Sequence, residues 1–529
     1  AYEDKIDHSM DDIALNPSIY QDILNVSRLS FQQFSALKIV PKSLLNVPFN
    51  IRLVGIDNLT SESLPRFTND LTHVYLRTML FHGCQTLQWN FSSLHYQVAE
   101  TLNISEPFYG GPTTTYALLP RETRIGYILY GSNLDGKEIQ LGCVVNNLIN
   151  ESGTMLSGRV KHYLWGFPAN ADGKKVGGKR DKDPFFIFRC VNWDNFTQGI
   201  QTTAVHVEYP KFKHPVVAPL VSRFYEPNVN IIGQELQKPL DKQQSLQLLR
   251  LIDSDPLFQL NNESKQLLWN TRHFLVDIPG ALPKILSCID WSRPDYCNEA
   301  YRMLKVWALP PNPVDAMELL DARFADYRVR EYAVNNLRLM NDESLQLVLL
   351  QLVQCIKYEP YHDSPLSRFL IERAIASPVH IGHTFFWHLK AEVHDPQVTE
   401  RFTCILEELL SNIGPFVDDL YKQLTTVQKL QHVAECVVRY KREYDYSDEQ
   451  TMTEYHKMLT ELNESFFLPQ GSFQVPLNPR CRATKLIVEK CKYMSSKMVP
   501  LWLVFENADP QAPPIYLIFK SGDDLRQDI

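Results

Sequence analysis

From about residue 48 the chain alternates apolar and polar positions in short runs, and near residue 245 it switches to a helical period. Pro48-Phe-Asn-Ile-Arg-Leu-Val-Gly55 and Thr72-His-Val-Tyr-Leu-Arg-Thr78 alternate as half-buried strands do. Arg124–Tyr130, Ile139–Val145, Phe185–Val191 and Thr203–Glu208 follow, separated by Gly, Asn and Asp turn signals. Short strands with recurrent turns predict a β-sandwich of about 160 residues. The helical period is clearest in Asn341–Lys357, where Asn341 or Asp342 caps a stripe of Leu345, Val348, Leu349, Leu352, Val353 and Ile356. Asp363-Ser-Pro365 starts a further helix, with proline at its first position. Asp326–Met340 and Gly382–His394 add two more, so residues of about 240–415 read as a helical solenoid. Residues 416–465 remain helical but turn polar. After Pro469-Gln-Gly471, strand signals return at Lys485–Glu489, Pro500–Phe505 and Ile515–Lys520. The first 45 residues are weakly patterned, with room for one short helix within 18–37.

Composition narrows the function classes. The 529 residues suffice for three or four domains, and 44% hydrophobic content can fill their cores. A net charge of −8 argues against general nucleic-acid binding, which needs a basic field. The ten cysteines are scattered without a C-x-x-C, as expected of reduced cysteines in a cytoplasmic protein. No apolar run has the roughly 18–20 residues of a membrane span. The polar, acidic start is not a signal peptide, and together with the abrupt end it suggests a piece of a longer protein. His380, His383, His388 and His394 have no recurring acidic or thiol partner, so a structural role is expected and no metal site.

Candidate chemistry lies in the last 45 residues. Cys491-Lys-Tyr-Met-Ser-Ser-Lys-Met-Val-Pro500 falls between two predicted strands. Ser495, Ser496 and Lys497 offer the small hydroxyls and the cation that a phosphate-gripping turn needs, and a serine-rich hairpin is the plainer alternative. In Ile515–Lys520, alternation puts Tyr516, Ile518 and Lys520 on one face and Leu517 and Phe519 on the other. Gly522 allows a tight turn, Asp523 can cap a helix and Asp528 falls a turn inside it, where it could orient the lysine; a sheet-edge lysine followed by a capped helix is the plainer alternative. In the sandwich, Lys174, Lys175, Lys179, Arg180 and Lys182 place five basic residues in nine, which either meet anionic lipid or form a solvated loop.

The string Phe519-Lys-Ser-Gly-Asp-Asp-Leu-Arg-Gln-Asp528 resembles the phosphatidylinositol 3- and 4-kinase signature, preceded at the expected distance by KYMSSKMVPLWL, which is similar to that family's phosphate-binding loop. LLQLVQCIKYEPYHDSPLSRFLIERA and IGHTFFWHLKAEVHD are similar to the helical domain of phosphoinositide 3-kinases, and FFWHLK favours the class I branch over class III. The resemblance implies a multidomain α+β chain: a C2-type β-sandwich, an α-helical solenoid, and a kinase small lobe built on an antiparallel sheet. The expected layout is a linker at 1–44 after a Ras-binding domain, the sandwich at 45–210, a linker at 211–238, the helical (PIK) domain at 239–415, a helical linker at 416–470, and a truncated kinase domain at 471–529.

Carried onto this chain, the resemblance implies that Tyr493, Met494, Ser495, Ser496, Lys497, Met498 and Val499 form the ATP-phosphate turn. It implies that Met494, Trp502 and Ile518 line the adenine pocket, that Lys520 contacts phosphate and that Asp528 lies near it. Many class I members carry a second lysine where this chain has Met498. Class IA relatives carry acidic adaptor-docking residues where it has the neutral Gln259 and Asn262, which cannot make the same charge pair. ATP and Mg2+ are the implied cofactors, with the catalytic residues and Mg2+ ligands expected beyond Ile529 and no kinase activity expected of this piece alone. The implied partners are a phosphoinositide membrane surface, a regulatory adaptor subunit and a Ras-type GTPase; the implied location is the cytoplasm with recruitment to the plasma membrane. Class III activity and a non-catalytic scaffold stay open as other readings.

Overall fold

The computed structural model describes residues 39–110, 114–167, 202–218, 241–444, 446–494, 496 and 499–522. The predicted strand at 185–191, the basic loop at 174–182, Ser495, Lys497, Met498 and Asp528 lie outside these residues. The chain divides into two compact units, residues 1–370 with 390–404, and residues 371–389 with 405–529. No described helix is long and apolar enough to cross a membrane.

The first unit begins with two stacked antiparallel sheets. Its strands are β1 (Asn50–Asp57), β2 (Leu71–His82), β3 (Gln85–Ser92), β4 (Leu102–Tyr109), β5 (Arg124–Asn133), β6 (Glu138–Asn147), β7 (Gly158–Tyr163) and β8 (Ala204–Tyr209). One sheet runs β6-β5-β2-β3, extended beyond β6 by Trp165–Gly166, with Tyr96–Gln97 also on β2; the other runs β4-β1-β8-β7. Leu53, Ile56, Val74, Leu76, Ile125, Leu129, Val205 and Val207 fill the space between them. β5 is buried on both faces, because Ile128 and Tyr130 join Tyr75, Cys143, Val145 and Phe167 in a second cluster on the outer side. This explains its near-continuous apolar run, where the pattern alone predicts a half-buried strand.

A buried polar chain crosses between the sheets. The Tyr127 and Tyr209 hydroxyls lie 2.9 Å apart, Tyr209 meets His162 Nε2 at 3.0 Å, and Asn146 meets His162 Nδ1 at 2.8 Å. Burial pulls the His162 pKa down to about 3, so it stays a neutral link. The sandwich is closed by parallel pairing of Val40–Pro41 with Val216–Val217.

The helices are α1 (Lys242–Ile252), α2 (Asn262–Thr271), α3 (Leu282–Leu286), α4 (Pro294–Val306), α5 (Tyr327–Leu337), α6 (Asp342–Cys355), α7 (Pro365–Ala376), α8 (His383–Glu392), α9 (Thr399–Asn412), α10 (Phe416–Arg442) and α11 (Asp448–Leu462). Side chains cap several of their starts: Asp241 in a reciprocal box with Gln244, Asn261, Asp326, and Asn341 on the Ser344 N–H at 2.8 Å. Between α5 and α7, the buried Arg330 pairs with Glu359 at 2.9 Å and donates to the Leu320 and Phe324 carbonyls.

Within this unit the sandwich docks on the helices. Asn147 donates to the Pro360 carbonyl at 2.7 Å, Tyr361 to the Arg121 carbonyl at 2.9 Å, and the His362 N–H to Glu151 at 2.8 Å. A cavity of about 150 Å³ lies in the seam, lined among others by Lys42, Glu122, Trp291, Cys297, Tyr301 and Asp326. The Lys42 ammonium is used by the Tyr116, Ala117 and Leu119 carbonyls. Asp326 accepts from the Arg328 and Val329 N–H groups and from the Tyr301 hydroxyl at 2.7 Å. Burial, reinforced by the charge of Glu122, outweighs those bonds and raises its pKa to about 6.

A raised carboxyl favours the protonated folded state, so this stabilisation is complete below the unfolded pKa and disappears as pH rises through about 6. Denaturant titration at pH 5 and pH 7.5 therefore separates wild type from Asp326→Asn. The wild type loses about 1 kcal/mol more than the variant over that interval, and equal losses would contradict this.

Candidate functional site

The second unit ends in a five-stranded sheet. Its strands are β9 (Phe473–Val475), β10 (Asn478–Leu486), β11 (Lys492–Tyr493), β12 (Leu501–Asn507) and β13 (Ile515–Phe519). β12 pairs with β13 on one side and with β10 and β11 in turn on the other. One face packs on α10 and α11. Leu430, Val433, Ala434, Val437, Tyr455, Leu459 and Leu462 meet Phe473, Ala483, Leu486, Leu501, Leu503 and Phe505. The polar-looking stretch read as a linker thus supplies half of this core. Deeper along α10, Gln423 accepts from His383 at 2.9 Å and Trp387 at 3.0 Å and donates to Gln474 at 3.2 Å. His383 is therefore a structural residue, and burial holds its pKa down.

The predicted strand at 485–489 is shorter than its pattern. β10 stops at Leu486, and Val488–Lys490 form a 3₁₀ turn. Asn463, just past α11, accepts from the Leu486 N–H at 2.8 Å and donates to its carbonyl at 2.9 Å, while the Ile487 N–H still donates to the Val504 carbonyl at 2.8 Å.

The face away from the helices is bare along β13 only: Val504, in the Tyr516 row, is buried and Trp502 is partly covered. Lys492, Trp502 and Ile518 share one row across β11, β12 and β13. Tyr516 and Ile518 are 54% and 50% exposed, and the Trp502 and Tyr516 rings lie 6.0 Å apart. The next row holds Tyr493, Leu501 and Phe519. One residue further, the Met494 N–H donates to the Pro500 carbonyl at 2.8 Å, and Lys520 leaves β13 at the same end. The described part of the intervening turn is closed by Ser496 N–H to the Met494 carbonyl and Val499 N–H to the Ser496 carbonyl. Val499 sits at φ 46°, a left-handed conformation costly for a β-branched residue. Gly522 takes φ 75° just after Lys520, a turn that its missing Cβ permits.

The structure therefore gathers Met494, Ser496, Trp502, Ile518 and Lys520 around one end of the bare face. Val499 is buried and Ser496 exposed. Tyr493 turns the other way, its hydroxyl donating to Asp448 Oδ1 at 3.0 Å. An exposed apolar surface beside a cation and an exposed turn suits a flat heterocycle carrying an anionic tail. Asp448, which holds Tyr493, was not found from the sequence; the Ser447-x-x-Gln450 capping-box spacing marks its helix start but not its partner.

Sandwich, helical region and C-terminal antiparallel sheet define a multidomain α+β protein. Residues 235–422 match the accessory domain (PIK domain) of the phosphoinositide 3-kinase family. Phosphatidylinositol 3-kinase 2 of Dictyostelium discoideum is 33% identical over 548 residues, covering 96% of this chain and 29% of that protein. Phosphatidylinositol 3-kinase 1 of the same organism is 31% identical over 509 residues, covering 91% and 30%. Phosphatidylinositol 3-kinase 3 is 41% identical over 282 residues, covering 53% and 16%. The chain spans under a third of the length of the curated relatives it matches. It carries a phosphoinositide 3-kinase accessory domain and is homologous to phosphatidylinositol 3-kinases.

Asn463→Ala removes both bonds at the end of β10. Chemical denaturation is expected to show a loss of about 1–2 kcal/mol, and an unchanged midpoint would refute this role.

Proposed function

We propose that the protein is a lipid kinase catalytic subunit of the class I phosphoinositide 3-kinase type. It transfers the ATP γ-phosphate to the 3-hydroxyl of phosphatidylinositol 4,5-bisphosphate in receptor-linked signalling. The observation that carries this reading is the position of Lys520, at the end of a strand whose outer face is bare and apolar, beside the Ser496 turn. Relatives named phosphatidylinositol 3-kinase along nearly the whole chain support it.

In this reading Met494, Trp502 and Ile518 face the adenine. Ser496 and Lys497, with the backbone of the turn, hold phosphate oxygens, and Lys520 fixes the phosphate tail with Asp528 near it. Magnesium, when bound with the nucleotide, supplies neutralisation of the charge developing on the transferred group. The chain's own contribution is orientation and electrostatic stabilisation on an apolar surface that excludes water from one side of the nucleotide.

The sandwich then serves as a membrane-facing module through Lys174, Lys175, Lys179, Arg180 and Lys182. The protein works in the cytoplasm and is recruited to the plasma membrane. A regulatory adaptor and a Ras-type GTPase would engage further domains, with adaptor inhibition through Gln259 and Asn262 weakened by their neutrality.

Purified full-length protein with ATP, Mg2+ and vesicles containing phosphatidylinositol 4,5-bisphosphate is expected to yield the 3-phosphorylated lipid. Lys520→Met should lower the rate roughly 10²–10³-fold. Undiminished turnover by that variant would sink the site assignment, and phosphorylation of unphosphorylated phosphatidylinositol alone would replace class I by class III. Replacing the five basic loop residues by Glu should release the protein from anionic vesicles, at about 1 kcal/mol per residue near the surface. Unchanged sedimentation with vesicles would remove the loop from the membrane contact.

A further inference from the structure

Two contacts tie the strand entering the Ser496 turn to the helices behind it. His456 of α11 pairs through Nε2 with the Cys491 carbonyl at 2.9 Å. Two residues later, the Tyr493 hydroxyl reaches the Asp448 carbonyl at 3.2 Å and Asp448 Oδ1 at 3.0 Å. Lys441, in the last turn of α10, places Nζ 3.0 Å from the same Oδ1 and 4.8 Å from the Tyr493 ring centroid. The Tyr455 ring meets Tyr493 edge-on at 6.2 Å. Ammonium, carboxylate and phenol thus close a triangle around one oxygen.

Asp448 is 80% exposed on its side chain, and an exposed ion pair adds little to folding stability. What the triangle fixes is position. β11 is two residues long and Tyr493 is its last, so Met494 begins the turn directly after it. A ladder of two register pairs is a weak anchor for a turn that holds Val499 in a strained conformation. Such strain persists only where surrounding contacts over-determine the backbone, and besides the Met494–Pro500 bond the pull on Tyr493 is the side-chain contact adjoining the turn's entry.

We propose that Lys441, Asp448 and Tyr493 form a clasp that sets the position of Met494 and of the Ser496 and Val499 backbone linked to it and, through them, the grip on nucleotide phosphate. These are positioning residues: none of them reaches the reacting atoms. The second half of this inference rests on the nucleotide reading given above, whereas the first half stands on geometry alone.

The test has two arms on full-length protein. In the first, amide hydrogen exchange is followed without nucleotide. Tyr493→Phe deletes one hydroxyl and keeps the ring, so the fold is preserved. The Met494 and Val499 amides should exchange roughly tenfold faster, while the Leu503 and Phe505 amides in mid-strand stay unchanged. Wild-type protection at Met494 and Val499 would overturn the clasp. In the second arm, KM for ATP should rise about three- to tenfold, with the effect falling on KM rather than kcat. Asp448→Ala should act like Tyr493→Phe, and the double variant should be no worse than the worse single one, because both cut the same link. Asp448→Asn keeps an acceptor for the hydroxyl and should recover part of the KM. A merely structural role would lower the melting temperature and leave KM and the Asn rescue untouched, which would overturn the proposal. If the wild type neither binds nor uses ATP, the nucleotide reading fails, and the exchange arm still decides the clasp by itself.

Discussion

A single sheet has two faces, and two helices can cover only one of them. That constraint governs the C-terminal unit. Leu501, Leu503 and Phe505 on β12 and Leu517 and Phe519 on β13 turn toward α10 and α11. Each large side chain so buried contributes about 1.5–3 kcal/mol. The period of two then turns Trp502, Tyr516 and Ile518 to the opposite face, where Val504 is buried but Tyr516 and Ile518 stay half exposed. The bare patch is a direct consequence of how the core is filled. Lys520, next in phase after Ile518, is carried to the rim of that patch by the same rule.

Much of this was open to reading from the chain because it depends on local periods. The alternation in Ile515–Lys520 assigned both faces of β13, and the stripe from Leu345 to Ile356 matches the buried side of α6. Asn341 caps as its residue type and position suggest. What escaped was non-local. The strands Gln85–Ser92, Leu102–Tyr109 and Gly158–Tyr163 were not anticipated, and they hold their places through partners far away in sequence. Residues 416–465 read as polar helices leading into the next domain, yet a helix needs only one apolar stripe to join a core, and Leu430, Val433, Ala434 and Val437 supply it. The strand read at 485–489 is cut short by the 3₁₀ turn Val488–Lys490, and Asn463, more than twenty residues upstream, serves both Leu486 backbone groups. Of the candidate site, the residue types and the strand face were readable. The shared end of the sheet that unites Met494, Ser496 and Lys520 follows only from register.

Buried polar groups are treated in two ways. Gln423, between His383, Trp387 and Gln474, uses both ends of its amide, so its burial costs little and fixes the partners' orientation. The Tyr127–Tyr209–His162–Asn146 chain does the same between the sandwich sheets with neutral groups only. Asp326 differs, since it keeps an ionisable group beside Glu122 in the seam even though three donors serve it. Neutral networks specify geometry without a proton change near neutral pH, whereas the seam's geometry is linked to protonation.

The parallel pair Val40–Pro41 with Val216–Val217 has a mechanical meaning. Because the two segments run in the same direction, the chain enters the sandwich beside one end of the pair and leaves beside the other. Tension between residues 39 and 218 would therefore slide the pair along its own axis instead of peeling it open. Its hydrogen bond from the Val40 N–H to the Pro215 carbonyl and its buried valines would carry that load together. A module latched this way transmits a tug along the backbone as a whole body before it yields.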